Sequence, residues 1–310
     1  MLRVKIYYKA GDYYGGDKMR KYEFVFDSVN TVIYPKPITV FSLIPDQINS
    51  NSGIMLFTHG WGGNRYQHRD KMEYVCEKFN LICLSTEYRQ SGFDFNTVTG
   101  SGASAPYDAS FYQVFDVLNT LRTFLSIYPM VNRNRIYHYG GSQGGHIALL
   151  SGIFAPDTFA FIYASSPMTH IDSKKYAITG REFSSWEMKI RDVTANASKL
   201  KCPIFLEHGT GDDNVPCETH TKALESQLRR HGKTVTVRYY ENGGHDLQPA
   251  ISKLDAFKAM ISENILNMSR EYPDDFILGS KTIIPCGEKA LHIDWSKPAF
   301  DTSLFRWRNL

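Results

Sequence analysis

The sequence predicts an α/β fold, a mostly parallel, doubly wound sheet with helices on both faces. From Gly53 onward, short continuous apolar runs alternate with segments of helical periodicity, the pattern of doubly buried strands joined by crossover helices. The first fifty residues instead read as consecutive strands, an N-terminal β extension to the wound sheet. The chain has 310 residues, 42% apolar and 22% charged, enough for one large core with a globular composition.

In the extension, "RVKIYY" and "YEFVFDS" are short, rich in β-branched and aromatic residues, and separated by turn residues; "KPITVFSLIP" follows them. "GIMLFTHG" is a buried strand ending in His59-Gly60, "RDKMEYVCEKFN" a helix, and "LICLSTEY" the next buried strand. Residues 90–107 form a Gly/Ser-rich loop. Its Gly100-x-Gly102 is no dinucleotide fingerprint, because no strand feeds directly into it and the third glycine is missing. From Asp108 to Tyr128 the positions Phe111, Val114, Phe115, Leu118, Leu121 and Leu125 recur at helical spacing, and Pro129 stops the helix.

"RIYHYG" is then a strand, "QGGHIALLSGIFAP" a helix and "FAFIYASS" a strand. Residues 166–200 break the rhythm and read as an inserted cap. "PIFLEHG", "ETHTKALESQLRRHG" and "VTVRYYEN" resume it as strand, helix and strand, and Ile251, Leu254, Phe257, Ile261 and Ile265 mark a last helix. The expectation is one domain over 1–310, with a β extension at 1–50, a cap at 166–200 and a tail at 268–310. The tail is expected to cover the N-terminal strands or to make a subunit contact.

A net charge of only +3 gives no reason to expect nucleic acid or an anionic membrane as partner. No apolar run approaches the roughly 20 residues of a membrane span, and the start does not read as a signal peptide. Cys76, Cys83, Cys202, Cys217 and Cys286 are scattered and contain no CxxC pair, which argues against a disulfide framework or a zinc site. A cytoplasmic protein without metal or cofactor is expected, with homo-oligomerisation left open. The sequons at Asn196 and Asn267 are read as chance.

Gly140-Gly141-Ser142-Gln143-Gly144 fits G-x-S-x-G between a predicted strand and a predicted helix. A nucleophile elbow needs this context: the turn strains the serine backbone and leaves no room for side chains two residues to either side. The helix start behind Ser142 offers unpaired N–H groups to a developing oxyanion. A hydroxyl also needs a base and a carboxylate to orient that base. "EHGTGDDNVP" puts Asp212 and Asp213 past the end of one strand, and "ENGGHDL" puts His245 past the end of another. Both positions lie at the sheet edge where open α/β folds carry their sites.

With these motifs in order, residues 50–265 resemble the α/β-hydrolase superfamily, and more narrowly its branch with the prolyl-oligopeptidase catalytic domains and the acetylxylan esterase/cephalosporin-C deacetylases. Gly140 to Gly145 has the form often seen in the deacetylases, and His208 to Pro216 matches HGxxDxxVP, in which the first aspartate is catalytic. The resemblance implies an α/β-hydrolase fold with Ser142, Asp212 and His245 as triad. It also implies an oxyanion hole from the backbone N–H groups of Gln143 and Trp61. Of the remaining candidates, His59 and His208 are read as structural, His138 as core, His146 as an ordinary helix residue and Arg89 as a brace for the loops. Trp186 is read as packing the cap or lining the pocket.

The expected activity is hydrolysis of carboxylic esters, acetyl or short acyl, with a small-molecule ester such as an acylated sugar as substrate. The alternatives are a prolyl-oligopeptidase-type peptidase and an inactive hydrolase fold used as a binding or maturation factor. With about fifty residues before the oxyanion loop, the propeller of the peptidases is not expected. The deacetylases' arginine-glycine-glutamine motif is replaced by Arg89-Gln90-Ser91-Gly92, so their substrate range does not carry over.

Overall fold

The computed structural model describes residues 4–7, 19–27, 37–94, 106–265 and 268–310. Most of the loop expected at 90–107, and Asn267 of the second sequon, lie outside these residues. Strands β1 (Val4–Tyr7), β2 (Met19–Asp27) and β3 (Pro37–Pro45) form an antiparallel meander. The wound part follows as β4 (Gly53–Thr58), α1 (Arg69–Phe79), β5 (Leu81–Glu87), α2 (Phe111–Ile127), β6 (Ile136–Gly141), α3 (Gln143–Phe154) and β7 (Phe161–Ser165). Residues 166–200 carry two short helices, α4 (Ser173–Ala177) and α5 (Ser185–Arg191). The chain then returns through β8 (Ile204–Gly209), a π turn leading into α6 (Ala223–Arg230), β9 (Val235–Tyr240) and α7 (Lys253–Asn264).

The nine strands lie in the order β1-β2-β3-β5-β4-β6-β7-β8-β9. Pairing is antiparallel as far as the β3–β5 junction and parallel from β5 to β9. With the helices on its faces this is an α/β-hydrolase fold. The central strands are buried on both faces, which is why they read as continuous apolar runs. Ile54, Leu56, Ile82 and Leu84 face α2 and α3, while Met55, Phe57, Leu81 and Cys83 face α1 and α7.

Local sequence fixes the helix ends. Asn80 stops α1 in the left-handed region at φ 53°. Ser110 and Gln113 close a capping box on α2, and the Ser252 side chain accepts from the Asp255 amide to start α7.

The tail is where expectation and structure differ most. It forms a short helix, α8 (Asp275–Leu278), and a separate three-stranded antiparallel sheet of β10 (Lys281–Pro285), β11 (Lys289–Asp294) and β12 (Phe305–Asn309). This sheet covers α2 and α3. Phe305 stacks on Phe115 at 4.2 Å, and the buried Trp295 indole donates to the Phe154 carbonyl at 3.0 Å. Phe300 of the tail also reaches the N-terminal strands, its ring 6.2 Å from that of Phe26. Among the described residues no helix is long and apolar enough to cross a membrane.

Candidate active site

Ser142 sits in the one-residue turn between β6 and α3 with φ 57° and ψ −122°, a region that non-glycine residues rarely occupy. The strain is held from both sides. The Ser142 amide donates to the Ser165 carbonyl at 2.9 Å, and its carbonyl accepts from Met168 at 3.2 Å. The flanking glycines are sterically required: a Cβ on Gly140 would meet the Gly144 carbonyl oxygen at 2.1 Å, and one on Gly144 would meet the Thr58 oxygen at 2.0 Å.

Asp212 follows β8. Its Oδ1 accepts from the Asn214 and Val215 amides, both at 2.9 Å; its Oδ2 accepts from His245 Nδ1 at 2.7 Å and from His208 Nε2 at 2.9 Å. Burial by itself would raise this carboxyl. The bonds from His208, His245 and the backbone outweigh burial and hold it well below the usual carboxylate range. Asp213 is exposed, so the partner of His245 is the first aspartate of the pair. The loop after β9 that carries His245 is tied to the loop of Asp212 by Gly211 N–H donating to Gly243 O and Asn242 N–H donating to Thr210 Oγ1, both at 2.9 Å.

Ser142, His245 and Trp61 line one cavity of about 390 Å³. Residues 166–200 close one side of it with Lys175 and Ile178, while Lys71 and Lys253 add two further amines to the wall. The Trp61 ring packs on Tyr107 at 4.3 Å and forms part of the wall. The backbone N–H groups of Trp61 and Gln143 donate to no acceptor among the described residues. No group of three His, Cys, Asp or Glu among the described residues is arranged to hold a metal ion, and the five cysteines are buried and unpaired.

A buried polar network supports the elbow from behind. The Gln143 side chain accepts from Tyr107 Oη and donates to Gln113 Oε1, both at 2.9 Å. Arg89 grips Asp116 in a fork at 2.6 and 2.8 Å. His146 is more than a helix residue. Its Nε2–H donates to the Arg191 carbonyl at 2.6 Å and its Nδ1 accepts from Ser110, so α3 is tied to α5. Burial drives its pKa down to about 3, and it is neutral. His138 is likewise core, its pKa lowered to about 3 by burial. His59 is buried and stacked on Tyr88 at 4.2 Å. Trp186 packs against the core with Lys289 of the tail 3.9 Å over its ring, away from the cavity.

Sequence reasoning missed the second histidine on Asp212, although HGxxD spacing carries that signal: His208 lies near the end of β8 and Asp212 in the loop that follows it. It also missed His68, Lys71, Lys175 and Lys253. They come from three separate segments and share no local pattern.

A model of the prolyl oligopeptidase family matches residues 108–262, half of the chain. An acyl-protein thioesterase 1 of Emericella nidulans is 27% identical over 128 residues, 41% of this chain and 48% of the relative. Among solved structures, an acylaminoacyl peptidase of Pyrococcus horikoshii aligns at TM-score 0.66 and 16% identity, covering 83% of this chain and 42% of that one. Acetyl xylan esterase 1 of a Thermoanaerobacterium species aligns at TM-score 0.63 and 16% identity, covering 86% and 88%. The chain thus spans about half the length of the curated relative, and less than half of the peptidase.

Proposed function

The chain belongs to the prolyl oligopeptidase family of serine hydrolases, and we propose that it hydrolyses carboxylic esters of acetyl or other short acyl groups. The observation that carries this reading is the cavity of about 390 Å³ shared by Ser142 and His245, one side of which is closed by Lys175 and Ile178. That volume suits a short acyl group better than an extended peptide. The relative named an acyl-protein thioesterase, which by that name cleaves an acyl thioester, supports an ester-type substrate.

On this reading Ser142 Oγ attacks the acyl carbon while His245 Nε2 takes its proton. Asp212, bonded to Nδ1–H, fixes the imidazole tautomer and stabilises the imidazolium. The N–H groups of Gln143 and Trp61 receive the oxyanion, each donor contributing about 100- to 1,000-fold in turnover. His245 then protonates the departing alcohol. Water attacks the acyl-enzyme, His245 takes its proton and returns it to Ser142 Oγ, and the acid leaves.

The peptidase reading is favoured by the family match itself. The two readings differ in the demand on His245, because an amine leaving group requires better-timed protonation than an alcohol does. A screen of p-nitrophenyl esters of increasing length, acetylated sugars and aminoacyl amides separates them. Short esters should turn over, with rates falling as the acyl chain lengthens, and amides should barely react. Ser142→Ala should lose both turnover and labelling by a fluorophosphonate. Efficient amide cleavage with negligible ester cleavage would promote the peptidase.

A further inference from the structure

Three amines meet on the wall of the cavity that holds Ser142. Lys71 comes from α1, Lys175 from α4 and Lys253 from the start of α7. No carboxylate stands among the described residues of that wall. Their acidic neighbours stand outside the wall: Asp70 and Glu207 for Lys71, Asp172 and Asp212 for Lys175, and Glu207, Asp212 and Asp246 for Lys253. The Lys71 side chain is 6% exposed, and its acidic neighbour Asp70, 3.5 Å away, is 48% exposed and solvated. Lys175 donates to a neutral acceptor, Asn214 Oδ1, at 3.0 Å. Lys253 has no ion pair among the described residues.

The nearby Glu207 is fully buried outside that wall; burial raises its pKa, while Lys253 and Lys71 lower it. Burial also lowers the pKa of Lys71, Lys175 and Lys253. Gathering like charges where water is scarce opposes folding. The natural compensation is a bound anion, which accepts charge-assisted hydrogen bonds from ammonium groups.

We infer that the preferred substrate carries an anionic oxygen group, a carboxylate or a phosphate, close to the scissile carbonyl, where Lys71, Lys175 and Lys253 bind it. The inference rests on the ester-hydrolase reading above and names its substrate class. The cavity volume limits that group to a small acid. Lysine, a compact point charge without a fixed fork, suits either carboxylate or phosphate. The anion can sit on the acyl side or on the alcohol side, and two matched substrate pairs distinguish these sources.

On the acyl side, 4-nitrophenyl hydrogen succinate is compared with 4-nitrophenyl butyrate. On the alcohol side, 3-acetoxybenzoate is compared with its methyl ester. All rates are taken above the enzyme-free rate. In one pair the anionic member should exceed its neutral partner by about tenfold or more in kcat/KM, and that pair identifies the side. Lys71→Met and Lys253→Met should each shrink the anionic-to-neutral ratio several-fold. Lys175→Met, on a half-buried cap helix, guards against a folding artefact. Neutral members equal or better in both pairs would overturn the inference and leave the ester reading standing. If no ester turns over, that reading falls, and calorimetry of succinate and inorganic phosphate with Ser142→Ala decides the inference separately. Saturable binding of either anion, weakened about tenfold by Lys253→Met, sustains it; no binding of either overturns it.

Discussion

Asp212 carries four hydrogen bonds on two oxygens, two from amides and two from histidines. The second histidine matters because it holds the carboxylate from behind, its Nδ1 in turn bonded to Thr221 at 2.6 Å. On the proposed mechanism, Asp212→Asn should lower kcat by about 10⁴. Asp213→Asn, on an exposed side chain, should change stability by about 0.5 kcal/mol or less and leave kcat close to that of the parent. A reversed ranking in steady-state kinetics would move the orienting role to Asp213. The Asp212 carboxyl is held below its ordinary range, so the folded state binds its proton less readily than the unfolded chain does. Its contribution to stability is therefore complete above about pH 4 and is lost as pH falls below that toward the folded-state pKa. Urea midpoints should thus fall less steeply with acid in Asp212→Asn than in the parent chain.

The β6–α3 turn depends on backbone contact rather than side-chain chemistry. A methyl at Gly144 meets the carbonyl oxygens of Thr58 and His59, which belong to a paired central strand and its end and cannot rotate away. Gly144→Ala should cost on the order of 3 kcal/mol, read as a lowered thermal midpoint. Ser142→Ala should keep the parental midpoint, because its methyl occupies space already filled by the serine Cβ. Equal midpoints for Gly144→Ala and the parent would mean that the strand and helix can part without penalty. At this scale the sequence was informative. The glycine spacing, the strand before it and the helix after it all read correctly, because each is a local pattern. The cap was legible only as a break in rhythm. That α5 is pinned to α3 by Arg191 and His146 depends on partners 45 residues apart.

Across the whole molecule, two apolar clusters sandwich the main sheet, and the tail joins one of them through Trp295, Phe300 and Leu304. Trp295 is buried and bonded to α3, so Trp295→Ala should destabilise the chain by about 3–5 kcal/mol in urea unfolding. KM for a short ester should stay at the parental value, since the residue lies outside the cavity wall. An unchanged unfolding midpoint would mean that the tail sheet is not integral to the core.

What the sequence determined by itself was everything with a short period or a short motif: the alternation of strands and helices, the elbow at Ser142, and strand-end positions for Asp212 and His245. These follow from hydrophobic periodicity and turn chemistry, which act over a few residues. The HGxxDxxVP register already pointed to Asp212 rather than Asp213 and carries the His208 spacing; the tertiary structure decided that the tail builds its own sheet on α2 and α3, and that Lys71, Lys175 and Lys253 converge on one wall. Each of these is a meeting of side chains or segments whose relative positions depend on how the loops and crossovers pack, and local sequence patterns carry no record of that packing.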